Sequence, residues 1–268
     1  MKPTAATSHR GPGPKPTFAF GRLGPGLLLL IGLLGWEWAA RGSGVSALVL
    51  PAPSAVLKSL WTGLVTGYFW PHIRATGFEL LLGLSSGCFI GFASGVAMAE
   101  SALLRRLLMP YVVVSQVIPK LALMPLFIVW FGFGMTSTVV ITALICFFPL
   151  MENTLTGLQQ VDPQRLELFR MLGASRRQTL LRLKLPSGLP GILAGLRVAV
   201  VLALVGAVVG EFIGASRGLG ALIIASQGMM DTSLMFAVLV IIGTLGLLVY
   251  TVTLAIEKRL LAPYTDIF

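Results

Sequence analysis

Residues 167–186 read ELFRMLGASRRQTLLRLKLP, one acid and five bases in a chain where only 11% of residues are charged. Leu166, Phe169, Leu172, Leu180, Leu181 and Leu183 make apolar stripes, and Arg170, Arg176, Arg177, Arg182 and Lys184 stand between them. The chemistry on offer is that of a contact, not of a reaction. Charge faces water, headgroups or a groove, and the apolar stripe needs something to cover it. Gly173, followed by the small Ala174 and Ser175, separates two helical segments as a turn glycine does. Pro186 and Pro190 are expected to end the second segment. A small corner between two helices suits insertion into a partner's groove. A basic loop resting on anionic lipid has the same periodicity.

Four further charges lie inside apolar runs: Glu79, Lys120, Arg197 and Glu211. A charge in hydrocarbon is costly, so each is expected to face the bundle or water. Lys120, Glu79 and Glu211 are candidates for lining a translocation path. The structural alternative is an ion pair, Lys120 with Glu79 or Glu211, that only fixes packing. Arg197 can reach the interface by its own length. Pro119 and Pro125 bracket Lys120, which frees backbone carbonyls there to line a cavity.

Other chemistry is missing. No GxxxxGK[ST] or HExxH occurs, so the chain carries no P-loop, and no catalytic residue is assigned. His9 and His72 stand alone, and Cys88 and Cys146 lie in apolar runs without metal spacing. No metal site is expected, and both cysteines read as core.

The elements that hold these residues follow from composition. Hydrophobic residues make up 56% of 268, and the mean hydropathy is +0.89. Runs of ~20 apolar residues match a bilayer core. The fold class is all-α integral membrane, with six spans expected at about 24–40, 75–99, 109–133, 137–155, 190–215 and 234–257. The run at 27–34, preceded by four bases, looks like a signal peptide. Trp36, Glu37 and Trp38 fit a cleavage site poorly, so a retained first helix is favoured. Residues 1–22 read as a disordered tail, 23–70 as the first span with an outer amphipathic helix, 71–258 as a five-span core, and 259–268 as a second tail.

The net charge is +10. It reads as loop anchoring and not as nucleic-acid binding. With the N-terminus inside, the inner segments hold most of the bases, and only Arg41, Lys58, Arg74 and Arg217 fall outside. This obeys the positive-inside rule, puts both termini in the cytoplasm, and places residues 167–186 there too. Between the first two spans, Val56, Leu57, Leu60, Trp61, Leu64, Val65 and Tyr68 share a helical face, with a start at Pro53-Ser54. In the second span Gly83, Gly87, Gly91 and Gly95 line one face, which allows close approach of another helix.

The spacing of Glu167, Gly173 and Leu183-Lys184-Leu185-Pro186 resembles the EAA loop of ABC-importer permeases. Leu168 and Phe169 replace that motif's two alanines. IPKLALMPLFIVWFGFG (118–134), FFPLMENTLTGL (147–158), LPGILAGLRVAV (189–200) and VVGEFIGASRGLG (208–220) resemble the nitrate/sulfonate/taurine branch. The resemblance covers about residues 50–258. It implies a type I ABC-importer permease fold (MetI-like) in a bacterial inner membrane, with a dimer of permease subunits around a central path. It also implies a separate ABC ATPase that holds ATP and magnesium, and a periplasmic or extracellular solute-binding protein. Glu167, Arg170, Gly173, Ala174, Ser175, Arg176, Arg177 and Pro186 would form the ATPase-coupling loop. The chain itself would be neither an enzyme nor a cofactor carrier. Substrates of the branch include sulfonates, taurine, nitrate, bicarbonate, thiamine-pyrimidine precursors and riboflavin. Glu79 and the run at 119–126 lean toward the last two by resemblance. The rivals are an ion-gradient-driven secondary transporter, whose acids would be Glu79 and Glu211, and a lipid-bound membrane scaffold.

Overall fold

The computed structural model describes residues 20–42, 44 and 46–264, and among these there are helices and no strands. The expected tail at 1–19 and the last residues, 265–268, lie outside the described residues. The chain divides into two units at Ser54.

The first unit holds α1 (Phe20–Gly42). It starts within the segment expected as tail. Its 23 residues rise ~34 Å. Near its end the Glu37 carboxylate accepts from the Ser54 N–H (3.0 Å) and hydroxyl (2.8 Å), and it pairs with Arg41.

The second unit, from Ala55, takes in most of α2 (Pro53–Val65), where the expected amphipathic helix lies. Only part of its apolar face is covered. Val56 is buried with Leu60 and Leu64 against it, while Leu57, Trp61 and Val65 are exposed. Then come α3 (Trp70–Glu100), α4 (Ala102–Val117), α5 (Met124–Phe131) and α6 (Met135–Gln159). They are followed by α7 (Pro163–Met171), α8 (Arg176–Thr179), α9 (Leu185–Gly214), α10 (Leu219–Gly228) and α11 (Thr232–Leu261). Among the described residues four helices are long and apolar enough to cross a membrane, and five if the bent pair 102–117 and 120–131 counts as one.

That bent pair corrects the expected single span at 109–133. The two arms meet at 87°. Pro119 lacks the N–H that would continue α4, and it pushes Ile118 to extended backbone (φ −70°, ψ 125°). A 3-10 turn, Lys120–Leu123, then leads into α5.

The core is the packing of α3 on α6 and of α6 on α9. Glycine sets the first contact. A Cβ on Gly91 would lie 2.6 Å from the Phe147 carbonyl oxygen, and one on Gly95 2.7 Å from that of Met151. A Cβ on Gly83 would meet the Thr142 side chain at 2.5 Å, and one on Gly87 would meet the backbone of Ala143. All four glycines are buried. The helix they admit is therefore α6 of the same chain. Backbones so close gain dispersion contacts along their whole crossing.

Candidate functional site

The corner at Gly173 is built by two local motifs. Asp162 caps α7 by accepting from the Gln164 N–H at 2.9 Å. At the other end Gly173 has φ +68°, the left-handed conformation that a side chain would strain. The Ala174 N–H donates to the Phe169 carbonyl and the Gly173 N–H to that of Arg170, both at 3.0 Å. This is the Schellman pair that closes a helix. Ser175 then opens the next one. Its hydroxyl accepts from the Gln178 N–H (3.2 Å), and its own N–H donates to the Gln178 side chain (2.8 Å), a capping box. Stop and start are thus fixed within four residues. Glu167, Leu168, Arg170, Met171, Leu172, Gly173, Ser175, Arg176 and Arg177 are exposed around the turn. Met171 is 81% and Leu172 73% exposed.

Pro186 and Pro190 do not end the second segment. Helix runs from Arg176 to Gly214. Residues Leu180–Lys184 form a π turn, in which the Leu185 N–H donates to the Leu180 carbonyl. The extra residue in that turn shifts the register before Pro186, so the ring enters near the start of α9 without colliding with the carbonyl below it. The loop is joined to the membrane core at this point. Lys184 Nζ lies 2.6 Å from Glu100 at the end of α3, and Leu183 is buried.

The intramembrane charges divide into separate places. Lys120 lines a cavity of about 570 Å3 between the α4–α5 break, α6 and α9. Its ammonium stands 4.6 Å from the Phe148 ring centroid, a cation–π contact. Gln116, Glu152 and Asn153 supply further polar groups to the same walls. The Gln116 amide donates to Glu152 at 3.3 Å. The break falls at Pro119, which is part of the lining, but its carbonyl is not freed: it accepts from the Ala122 N–H at 2.9 Å.

Glu79 and Glu211 are elsewhere. Both are buried, and they face one another. Glu211 accepts from the Thr76 hydroxyl and from the Gly220 N–H, each at 2.6 Å. The Thr76 oxygen in turn accepts from the Leu219 N–H at 2.8 Å. His72 Nδ1 lies 2.9 Å from the Gly218 carbonyl oxygen. Gly218 has φ +132°, and a Cβ there would strike the Glu211 carboxyl. The cluster clamps the chain as it turns from α9 into α10. Among the described residues no ion pair joins Lys120 to either acid, so the expected structural pair is not formed. Arg197 does not simply reach out to the interface: its Nε is 3.2 Å from Glu257 of α11.

Sequence reasoning missed Gln116, Glu152 and Asn153 because Ser115-Gln116 and Glu152-Asn153 are only short polar breaks within long apolar helices. It missed Glu100 because the pair with Lys184 spans 84 residues. It missed α10 altogether, a ten-residue helix too short to stand out as a span.

Residues 87–262 match the family described as binding-protein-dependent transport system inner membrane component, and the chain belongs to that family. It is 35% identical over 243 residues to the riboflavin transport system permease protein RibX of Chloroflexus aurantiacus, covering 91% of each chain. It is 37% identical over 240 residues to the formylaminopyrimidine transport permease protein ThiX of Halalkalibacterium halodurans, covering 89% of this chain and 95% of that one. Identity to the taurine transport system permease protein TauC of Escherichia coli is 32% over 230 residues, 84% of each. The MetNI methionine ABC transporter, solved in inward facing conformations, shares the fold, with a TM-score of 0.62 at 21% identity over 70% of this chain and 94% of that chain. The chain is a multi-pass inner-membrane permease of an ABC importer, in the nitrate/sulfonate/taurine branch. The gradient-driven carrier is set aside by the same likeness.

Proposed function

We propose that two copies of this chain surround a central path and that residues 163–186 dock into a groove of a separate P-loop ATPase, which holds the ATP and magnesium. α1 is the first of six spans, both termini are cytoplasmic, and a binding protein delivers solute from the opposite side. The observation that carries this reading is the corner at Gly173. It is closed on both sides by its own hydrogen bonds and leaves Met171 and Leu172 exposed. A loop that only rested on lipid would not require so exact a turn.

Transmission follows from the covalent and ionic continuity of the loop. Force on α7 reaches α9 through helix Arg176–Gly214 and reaches α3 through Lys184 and Glu100. ATPase closure then biases two arrangements of the bundle, and solute moves by alternating access.

The solute proposed is a flat nitrogen heterocycle of the riboflavin or formylaminopyrimidine kind. Support comes from the relatives that carry such names and from the cavity beside Lys120. Phe148 offers a ring face, and Gln116, Glu152 and Asn153 offer both donors and acceptors to a heterocycle's edge. A small sulfonate would meet the Glu152 carboxylate at the same walls. The test is uptake by proteoliposomes holding the chain with its ATPase and binding protein. Labelled riboflavin or formylaminopyrimidine accumulates with ATP, and excess taurine does not compete. Uptake of taurine alone would refute the solute, and no ATP dependence would refute the importer.

A further inference from the structure

A second cavity, of about 700 Å3, lies between the start of α4 and the end of α6. Arg105, Arg106 and Gln159 are the long polar side chains of its lining. Met109, Val113 and Leu155 form the rest of the wall. Arg105, Met109 and Val113 are four residues apart, so they make one stripe along α4 that passes from charge to hydrocarbon. Among the described residues no ion pair answers either charge. The four ion pairs among the described residues use other bases, and Glu100, the acid at the α3–α4 corner, is engaged by Lys184. α4 itself buries no residue.

We infer that this groove binds one anionic phospholipid, its phosphate between Arg105 and Arg106 and an acyl chain along Met109, Val113 and Leu155. Paired guanidiniums favour a phosphate oxyanion. The lining contains no Asp or Glu, so a zwitterionic headgroup finds no partner for its cation. The apolar stripe fits a chain that free phosphate lacks. The position gives the lipid a role. Gln159 is the last residue of α6, and α7 begins at Pro163. A lipid bridging α4 and α6 here stiffens the root of the exposed corner. Binding itself does not depend on what that corner docks into.

The experiment is native mass spectrometry of the full-length chain from mild detergent, titrated with phosphatidylglycerol, phosphatidylcholine or inorganic phosphate. Phosphatidylglycerol is retained about tenfold or more over phosphatidylcholine, as two bases near a headgroup predict. Arg105→Gln with Arg106→Gln abolishes the preference. Arg105→Lys with Arg106→Lys keeps most of it, and Arg217→Gln, at an exposed base elsewhere, leaves it unchanged. Equal retention of the two lipids, or an unaltered preference in the double Gln variant, overturns the site. Displacement of the lipid by inorganic phosphate overturns the lipid as occupant.

Discussion

Lys184 and Glu100 meet at 2.6 Å, the first at the root of the second loop helix and the second at the end of α3. Their side chains are only 20% and 25% exposed. One ion pair therefore joins the loop that projects from the bundle to a helix of its core. Lys184→Met or Glu100→Gln should lower ATP-driven uptake about fivefold, the equivalent of an interaction of ~1 kcal/mol. Exchange of the two residues, Glu100→Lys with Lys184→Glu, should recover part of the loss. Uptake measured beside ATPase co-purification separates failed transmission from failed docking.

Gly173 is a backbone requirement and not a space requirement. Nothing lies within 4 Å of a Cβ added there, yet its φ is +68°. Gly173→Asn should cost little, and Gly173→Val more, since a β-branched residue tolerates this conformation poorly. Left-handed backbone costs an L-residue ~1–2 kcal/mol. The expected order of ATPase retained on the purified chain is wild type, Asn, then Val.

The glycine stripe of α3 should behave oppositely. Gly91→Leu and Gly87→Leu force α3 from α6, with a loss of 1–3 kcal/mol or more, on the order of other overpacked cores. Gly77→Ala, on the same helix with nothing within 4 Å, should be neutral. Thermal melting in detergent distinguishes them.

Glu211 holds the α9–α10 turn. Glu211→Ala leaves the buried Gly220 N–H and the Thr76 hydroxyl without their acceptor, a loss of about 1–3 kcal/mol for each such group. Glu211→Gln keeps one carbonyl oxygen and should lose less. The melting temperature should fall in that order.

Lys120 can now be judged without a partner acid. Lys120→Met should leave melting and ATPase binding near wild type while uptake falls, because its ammonium contacts a ring in the cavity and closes no ion pair. Loss of assembly instead would make Lys120 structural.

The helices and the corner were legible in the sequence because they depend on neighbours. Apolar runs gave α3, α6, α9 and α11, and Gly173-Ala174-Ser175 announced the turn that the Schellman and capping-box bonds now close. The glycines at intervals of four announced a close helix, but not which one. What was not legible depends on distant residues or on register. Pro119 broke a span that hydropathy read as continuous. Pro186, read as a stop, is accommodated by a π turn that no composition reveals. Lys120, Glu79 and Glu211 looked like charges to be paired, yet Thr76 and Gly220 are the groups that satisfy Glu211, and both reach it through folding alone.

The most direct test of the account is recovery of the tagged full-length chain from its native membrane, with its companions identified by mass spectrometry. A P-loop ATPase is expected in equal amount. That ATPase should be lost on Gly173→Trp, in a chain that still folds and inserts in the membrane. An ATPase absent even under crosslinking, or one held equally well by Gly173→Trp, would contradict the docking of residues 163–186.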